Sequence, residues 1–442
     1  MSVTLALPVR RNVSLVSIGV PLLVAIVYLN LSEILVRYHD FPSILQPLIA
    51  GLAFVAWLER DCERPLVVAA QRLTIAIGIY FLIALASTCW ALDAHRADER
   101  LLDLAKAVAI YLLLALLLRT ERAVRNAVRV MIAAAALLGL LILHQVATGN
   151  FEHELGGLGR VKQAHIYGDV FDARVAGPVG DPNFFGRLLL LPIPPAVLLA
   201  FQTKSRGLRC AFLLAALLIA ATIAVTYSRG AMVALAVMAL LLLHALHVRW
   251  RSTFLVAAAL LALVVVLPPT ITERFITIEQ ILPSDDEPLH PDSSFEERRM
   301  LMRVAWRMFE AHPVGGVGIG NYTTRFDDHA GSIGSAVRPY NEPSETRFPH
   351  NLALELAAET GLLGLTAFAA IVAIAWSTLR RAARRLSGES GVLAASLSIS
   401  LVGFVVAGLF LHLSEARTIF LMFAFASALE RIGAGTAEGA AA

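Results

Sequence analysis

Twelve apolar stretches, each close to bilayer length, run through the 442 residues of this chain. A hydrocarbon core about 30 Å thick takes about 20 helical residues to cross. The segments 13–31, 42–58, 73–92, 101–118, 127–147, 183–202, 208–227, 231–247, 253–270, 352–376, 391–412 and 416–432 come close to that length. Hydrophobic residues make up 57% of the chain and charged residues 16%, against about 25% charged in ordinary soluble domains. The expected fold is an all-α polytopic membrane protein with about 12 transmembrane helices, a single integral membrane domain over 1–442.

Lys and Arg in short loops stay on the cytoplasmic side, so they set the orientation. Arg10 and Arg11 precede the first span and place the N-terminus inside. Every second loop repeats the signal: Arg60, Arg64 and Arg72, then Arg119, Arg122, Arg125 and Arg129, then Lys204, Arg206 and Arg209. Arg249 and Arg251 follow span eight, and Arg380, Arg381, Arg384 and Arg385 follow span ten. The loops between are poorer in bases and carry acids such as Glu33, Asp40, Asp93, Asp98 and Glu99. An even number of spans returns the C-terminus to the cytoplasm.

The net charge of +3 is therefore mostly a topology signal. It gives no support for nucleic acid as a partner, because the arginines are dispersed between spans rather than gathered on one face. The N-terminal stretch is apolar enough for a signal peptide, but no small-residue cleavage site follows it and eleven more spans do, so an uncleaved first helix is expected. Cys62, Cys89 and Cys210 fall at separate places and suggest neither a disulfide scaffold nor a zinc site.

Two outer segments exceed what a connection needs. The first, 148–182, holds Gly156-Gly157, Arg160, Lys162, His165, Asp169, Asp172 and Arg174, ending near Asp181-Pro182-Asn183. The second, 271–350, is far longer than an ordinary loop and contains an amphipathic helix at 294–311. Ser293 and Ser294 with Glu296 and Glu297 offer capping-box starts. Met300, Val304, Met308 and Ala311 form an apolar stripe that Leu301, Ala305 and Trp306 widen. Arg299, Arg303 and Arg307 recur every four residues, with Arg298 alongside. A solvated basic face and a helix on the outer leaflet, lining a cleft for an anionic lipid, both satisfy that spacing. His312-Pro313 stops the helix. The glycine run from Gly315 to Gly320 lacks a preceding strand and a Lys-Ser/Thr, so it is no P-loop, and tight turns explain it better.

His350 sits at the start of span ten behind Pro349, which cannot continue a helix from upstream. The positive end of a helix favours neutral imidazole, the form a general base needs near neutral pH. A headgroup-level histidine beside a helix start is the plainer alternative. Arg229, in the short turn Tyr227-Ser228-Arg229-Gly230, has the planar fork that suits bidentate phosphate binding, and ordinary snorkelling is its alternative. Arg174 and Arg187 bracket Asp181-Pro182-Asn183. Arg187 lies one turn into span six and should face the protein interior. Arg417, near Glu415 and His412, and Lys106, three residues from Asp103, are expected to form structural ion pairs. The chain has no Asp-x-Asp cluster at an outer helix end of the kind a divalent metal holding pyrophosphate would want. The chemistry that fits is group transfer from a lipid pyrophosphate, with histidine as base and arginines as electrophilic clamps.

This pattern resembles the O-antigen ligase family, within a superfamily shared with O-antigen polymerases and O-linking protein oligosaccharyltransferases. The resemblance is sharpest over 298–364. Arg298-Arg299, Arg303 and Trp306 come first, then His312-Pro313-Val314-Gly315-Gly316-Val317-Gly318, then Pro349-His350-Asn351. Glu355, Glu359 and Gly361-Leu362 follow, and Ser228-Arg229-Gly230 matches a second signature. The resemblance implies a GT-C-type glycosyltransferase fold with a large periplasmic loop between helices 9 and 10, in the bacterial inner membrane. It implies transfer of O-antigen glycan from undecaprenyl pyrophosphate to lipid A–core oligosaccharide on the periplasmic face, inverting, with no metal and no cofactor required. Carried over, His350 is the base, and Arg229 and Arg174 bind pyrophosphate, with Arg187, Arg303 and Asn351 as further substrate-binding candidates. His312 matches the His-Pro turn and reads as structural, and no second catalytic histidine is expected.

Other readings remain open on the sequence. A polymerase adding glycan to glycan and a transferase using protein Ser/Thr are the same-family alternatives. A transporter or flippase would carry inverted repeats with interrupted helices at the midplane, and a non-catalytic scaffold would present the outer loop alone.

Overall fold

Outside 253–270, each expected apolar stretch coincides with a helix in the computed structural model, which describes residues 15–58, 71–167, 170–248, 293–331, 347–413 and 416–441. Span nine, the residues 271–292 and 332–346 of the long segment, Arg10, Arg11, Cys62, Asp169 and Glu415 lie outside the described residues. In chain order the first helices are α1 (Leu15–Tyr28), α2 (Leu31–His39), α3 (Leu45–Leu58), α4 (Gln71–Ser87), α5 (Ala94–Leu117) and α6 (Glu121–Thr148). A hairpin of β1 (Val161–Tyr167) and β2 (Val170–Val175) follows. Then come α7 (Pro182–Leu190), α8 (Ile193–Gln202), α9 (Arg206–Val225), α10 (Arg229–Ala245), α11 (Ser293–Ala311), α12 (Phe326–Ala330), α13 (Leu352–Arg385), α14 (Gly388–Gly408) and α15 (Ala416–Ala441).

Among the described residues, seven helices are long and apolar enough to cross a membrane, or eight if α1 and α2, bent by 59°, form one span. That makes the chain a polytopic helical membrane protein, with the expected span nine outside the described residues and so outside this count. Three further expected spans differ from a plain crossing for physical reasons. Helices α3 and α10 are short, and the first half of α5 carries Arg96, Asp98, Glu99, Arg100, Asp103 and Lys106. The first span does not end in a loop. At Asn30 the backbone turns left-handed (φ 51°) and α2 continues at an angle.

The core is one apolar cluster running through the bundle. Helix α13 packs on α4, α14 and α15, α5 on α15, α14 on α8 and α10, and α6 on α9. Phe420, Phe423 and Phe425 of α15 and Tyr111 of α5 are fully buried within it. The Tyr111 hydroxyl is satisfied by Thr74 at 2.7 Å and Ser427 at 3.0 Å, as a buried polar atom must be. At the end of the bundle rich in short basic loops, Arg125 and Arg129 meet Glu389, and Arg381 meets Glu430 at 2.7 Å.

The other end carries the irregular backbone. Helix α13 is broken at Gly361, whose φ of 63° and ψ of −163° no helix contains. The break leaves backbone groups without helical partners, and the glycine run supplies them. Val317 and Gly318 donate to the carbonyls of Ala358 and Glu359 at 2.8 and 2.9 Å, while Leu362 donates to Pro313 O at 2.8 Å. A Cβ at Gly316 would lie 2.3 Å from the Glu359 carbonyl carbon, and one at Gly361 would lie 2.2 Å from Val314 O. The glycine run is thus a strap against the broken helix.

The amphipathic helix forms as expected, as α11. Its buried residues are Leu301, Val304, Ala305 and Met308, which pack with Val317, Tyr322, Phe326 and Ala358 into a small second core. Protein covers these four residues, so the helix does not lie on lipid through them, while Ala311 at the end of the expected stripe is exposed. Trp306, expected to widen the stripe, is 50% exposed and donates to Glu310 at 2.8 Å.

Candidate active site at converging helix starts

Three helix starts meet at the His350 end of the bundle, each closed by a side-chain cap that satisfies orphan amides. Asp181 accepts from the amides of Asn183 and Phe184 at 2.8 and 3.2 Å to begin α7. Ser228 accepts from Ala231 N to begin α10, and Asn351 accepts from Leu354 N at 3.1 Å to begin α13. Close approach requires small residues at the crossings. A Cβ on Gly186 of α7 would lie 2.8 Å from that of Ala231, and one on Gly230 would lie 2.7 Å from Phe410 Cβ. Asn351 Nδ2 donates to Leu409 O at 3.1 Å, tying the start of α13 to the end of α14.

The residue before the cap is left-handed at two of these starts: Tyr227 (φ 53°) and His350 (φ 46°). That conformation costs roughly 1–2 kcal/mol for a residue with a Cβ, and such strain persists where the surroundings fix it. His350 is half-buried, and its Nδ1 has no hydrogen-bond partner among the described residues. Burial holds the imidazole pKa down to about 4, with the nearby Arg298 and Lys162 adding to the effect and Asp181 opposing it. The neutral ring expected from its place at a helix start is therefore the resting form.

His412, on the turn after α14, stands beside it with ring centroids 5.7 Å apart. Its ring stacks on Phe348 at 4.0 Å and meets Phe184 edge-on at 4.7 Å. Its Nδ1 also has no partner among the described residues, and burial, then His350, Arg100 and Arg187, hold its pKa well below the usual value. The sequence names His412 only as a neighbour of Arg417. No spacing joins it to His350, 62 residues earlier in the chain, so only the fold reveals the pair.

The hairpin, absent from the sequence reading, places Lys162 directly across from Arg174. Two short alternating runs separated by Gly168-Asp169 carried that signal. Arg174 is buried and closes the end of α9, donating to Thr226 O at 2.9 Å and Tyr227 O at 3.2 Å. Burial lowers its pKa to about 10, with Arg298 and Arg229 pushing the same way and Asp181 opposing. Arg174, Arg229, Arg298, Lys162 and Asp181 therefore share one electrostatic neighbourhood with His350. Cations at helix starts oppose the helix dipole, and Asp181 already spends one oxygen on its cap and the other on Lys162 at 3.4 Å. The cluster is built to receive negative charge.

Two expected substrate contacts sit elsewhere. Arg187 does face inward, 2% exposed, but its guanidinium lies between the rings of Phe184 and Phe404 and donates to His412 O at 2.8 Å. It supports the His412 turn from behind. Arg303 is exposed on the face of α11 turned away from the small core, while Arg298 flanks the buried stripe. The physical reason is helical phase: Arg299, Arg303 and Arg307 share one face, and Arg307 on it pairs with Glu310 at 3.0 Å.

Behind His412 stands a buried ion pair, Arg100 with Glu355 at 2.7 Å, and Glu355 also accepts from Leu413 N. Lys106 pairs with Asp103 at 3.0 Å as expected. Arg417 meets Asp103 at 3.6 Å and Glu33 at 3.9 Å rather than only its sequence neighbours. On the membrane side, an apolar groove of about 490 Å³ runs between α13 and α14 from Leu352 and Leu409, beside Asn351, down to Trp376.

A helical membrane protein with a basic cluster and a neutral imidazole at converging helix starts defines the class. Residues 214–369, from the middle of α9 to the middle of α13, match the family described as O-Antigen ligase, which supports the resemblance read from the sequence. The match takes in Arg229, Arg298, His350, Glu355 and Glu359, while Arg174 and His412 lie outside it. The curated proteins give no match to this chain.

Proposed function

We propose that the protein transfers O-antigen glycan from undecaprenyl pyrophosphate to lipid A–core oligosaccharide at the periplasmic face of the bacterial inner membrane. The observation that carries this reading is the neutral His350 ring, whose buried Nδ1 has no partner among the described residues, within the field of Arg298 and Lys162. The two phosphates of the donor sit among the helix starts and guanidiniums, where backbone amides and positive charge favour an anion. The polyprenyl chain follows the apolar groove between α13 and α14, whose upper end opens beside Asn351.

His350 takes the proton of the acceptor hydroxyl as its oxygen attacks the anomeric carbon. The bond to the pyrophosphate oxygen breaks on the opposite face, giving inversion. Undecaprenyl pyrophosphate leaves with the bonding electron pair, and the arginines hold the developing charge. Bound pyrophosphate also offsets Arg298 and Lys162, which otherwise depress the imidazole. Donor binding therefore strengthens the base.

Complementation tests the reading. A strain lacking its ligase should regain long-chain lipopolysaccharide with this protein and lose it again with His350→Ala at equal protein levels. Ladders restored by His350→Ala would remove the base assignment. A change in glycan length without a change in attachment would favour polymerisation instead.

A further inference from the structure

A second polar feature lies on the His412 side of the site and plays no part in the chemistry above. It is a cavity of about 230 Å³ among α2, α4, α5, α13 and α15. Its mouth carries Arg37 and Asp103, with side chains 61% and 53% exposed, and its floor is Glu355, 2% exposed. The cavity therefore narrows from an open rim to a buried carboxylate.

Most of its charges pair locally. Arg37 pairs with Glu33 at 2.7 Å, Arg100 with Glu355 at 2.7 Å, and Arg417 spans Asp103 and Glu33. Glu359, a fourth carboxylate, adds to the lining without a matching guanidinium, since Arg37, Arg100 and Arg417 are the arginines there. A phosphate or carboxylate ligand would meet no excess positive charge. An apolar chain would strip water from charged groups and return nothing for it. Hydroxyl groups do better on both counts, because they donate to carboxylates and accept from guanidiniums. The Tyr80 side chain adds a further polar group to the wall.

The cavity adjoins the proposed base through one layer of side chains. Glu355 on the floor accepts from Leu413 N, the residue after His412. Arg100 lies 5.9 Å from the centre of the Phe348 ring, and Phe348 stacks on His412. The contacts Arg100–Phe348, Phe348–His412 and His412–His350 thus run in one chain from the cavity wall to the base. His412 feels Arg100 and Arg187, whereas His350 feels Arg298, Asp181 and Lys162. The imidazole pair stands between the two sets of charges.

We propose that this cavity is a binding site for a neutral, hydroxyl-rich sugar of the acceptor glycan, anchoring a unit beside the one whose hydroxyl reaches His350. The proposal rests on the transferase reading and adds a sugar subsite to it. Anchoring there would hold the acceptor on the side of His350 away from the pyrophosphate, as an inverting attack requires.

The test closes the cavity after folding. Full-length protein carrying Asp103→Cys, with Cys62, Cys89 and Cys210 replaced by Ser, is labelled with a bulky aromatic methanethiosulfonate and compared with the same protein unlabelled. The probe is core oligosaccharide freed of lipid A by mild acid, measured for binding by calorimetry in detergent. Intact acceptor is measured in parallel for transfer kinetics. Labelling should weaken oligosaccharide binding and raise the acceptor KM by about tenfold or more, as the loss of two or three hydrogen bonds would, with the donor KM unchanged. Unchanged binding and acceptor KM overturn the proposal, as does a rise confined to the donor KM. Oligosaccharide binding that labelling removes, in a protein with no transfer activity toward any acceptor, sinks the transferase reading and still supports the sugar site.

Discussion

Two sets of arginines stand at the same end of this bundle, and what they are paired with separates them. Arg174 donates to the backbone carbonyls of Thr226 and Tyr227 and to the Asn183 amide oxygen, and Arg187 donates to the His412 carbonyl. Carbonyls satisfy the guanidinium without cancelling its charge, so Arg174 leaves its neighbourhood with Arg298 and Lys162 positive, while Arg187 keeps its charge behind the His412 turn. Arg37, Arg100 and Arg417 meet carboxylates instead, and their charge is neutralised on the spot. One side is prepared for an anion and the other for a neutral polar ligand. Counting arginines in the sequence cannot tell the two apart.

Replacements on the two sides of His350, with an exposed arginine as control, should break the comparison differently. Arg298→Ala removes a cation from the positive side and should lower kcat/KM about 10²–10³-fold, the scale for losing one charge-stabilising donor. Arg303→Ala on the exposed face of the same helix should leave the rate within about twofold in the same transfer assay. An equal loss from both would mean that the whole helix, not its site-facing arginine, carries the effect.

On the cancelled side the damage should appear first as stability. Glu355→Gln leaves Arg100 without its carboxylate, and a broken buried pair costs about 3–5 kcal/mol. Arg100 keeps 27% side-chain exposure, so the lower figure applies. A thermal melt of the purified protein in detergent checks this, and an unchanged Tm would show that the pair contributes little. A smaller change is expected for Arg229→Lys, which keeps charge and loses the planar fork. Transfer should fall about tenfold, and undiminished transfer would count against bidentate phosphate binding.

The subtlest prediction concerns pH. His350 is active when neutral, so transfer is lost as pH falls through its pKa, near 4 in the free protein because of burial and Arg298. In kcat/KM, which reports the free enzyme, the acid limb should lie near that value. In kcat the bound pyrophosphate offsets Arg298 and Lys162, and the limb should move to higher pH. Coincident limbs would separate base strength from donor binding.

Local patterns made much of this legible. Helix α11 follows from its apolar stripe and serine start, and His350 at the head of α13 follows from Pro349-His350-Asn351. Lys106 and Asp103 pair because they are one helical turn apart. The rest depends on contacts that leave no local mark. Arg100 and Glu355 are separated by 255 residues, and His350 and His412 meet because α13 and α14 pack side by side. Gly361 follows Glu359-Thr360 at the head of an apolar run and could have read as an ordinary helical glycine, so its break shows only when the glycine strap at 313–318 is seen donating to and accepting from it. The arginine spacing in α11 was plain in the sequence, yet it marked the exposed face, and Arg298 stood one step off that pattern.

The most direct test measures turnover by purified His350→Ala protein, using lipid-linked glycan donor and lipid A–core acceptor, with donor binding assayed alongside. Loss of a general base should reduce turnover about 10²–10⁴-fold, with donor affinity largely kept because the arginines remain. Turnover within a few-fold of the unaltered protein would contradict the account.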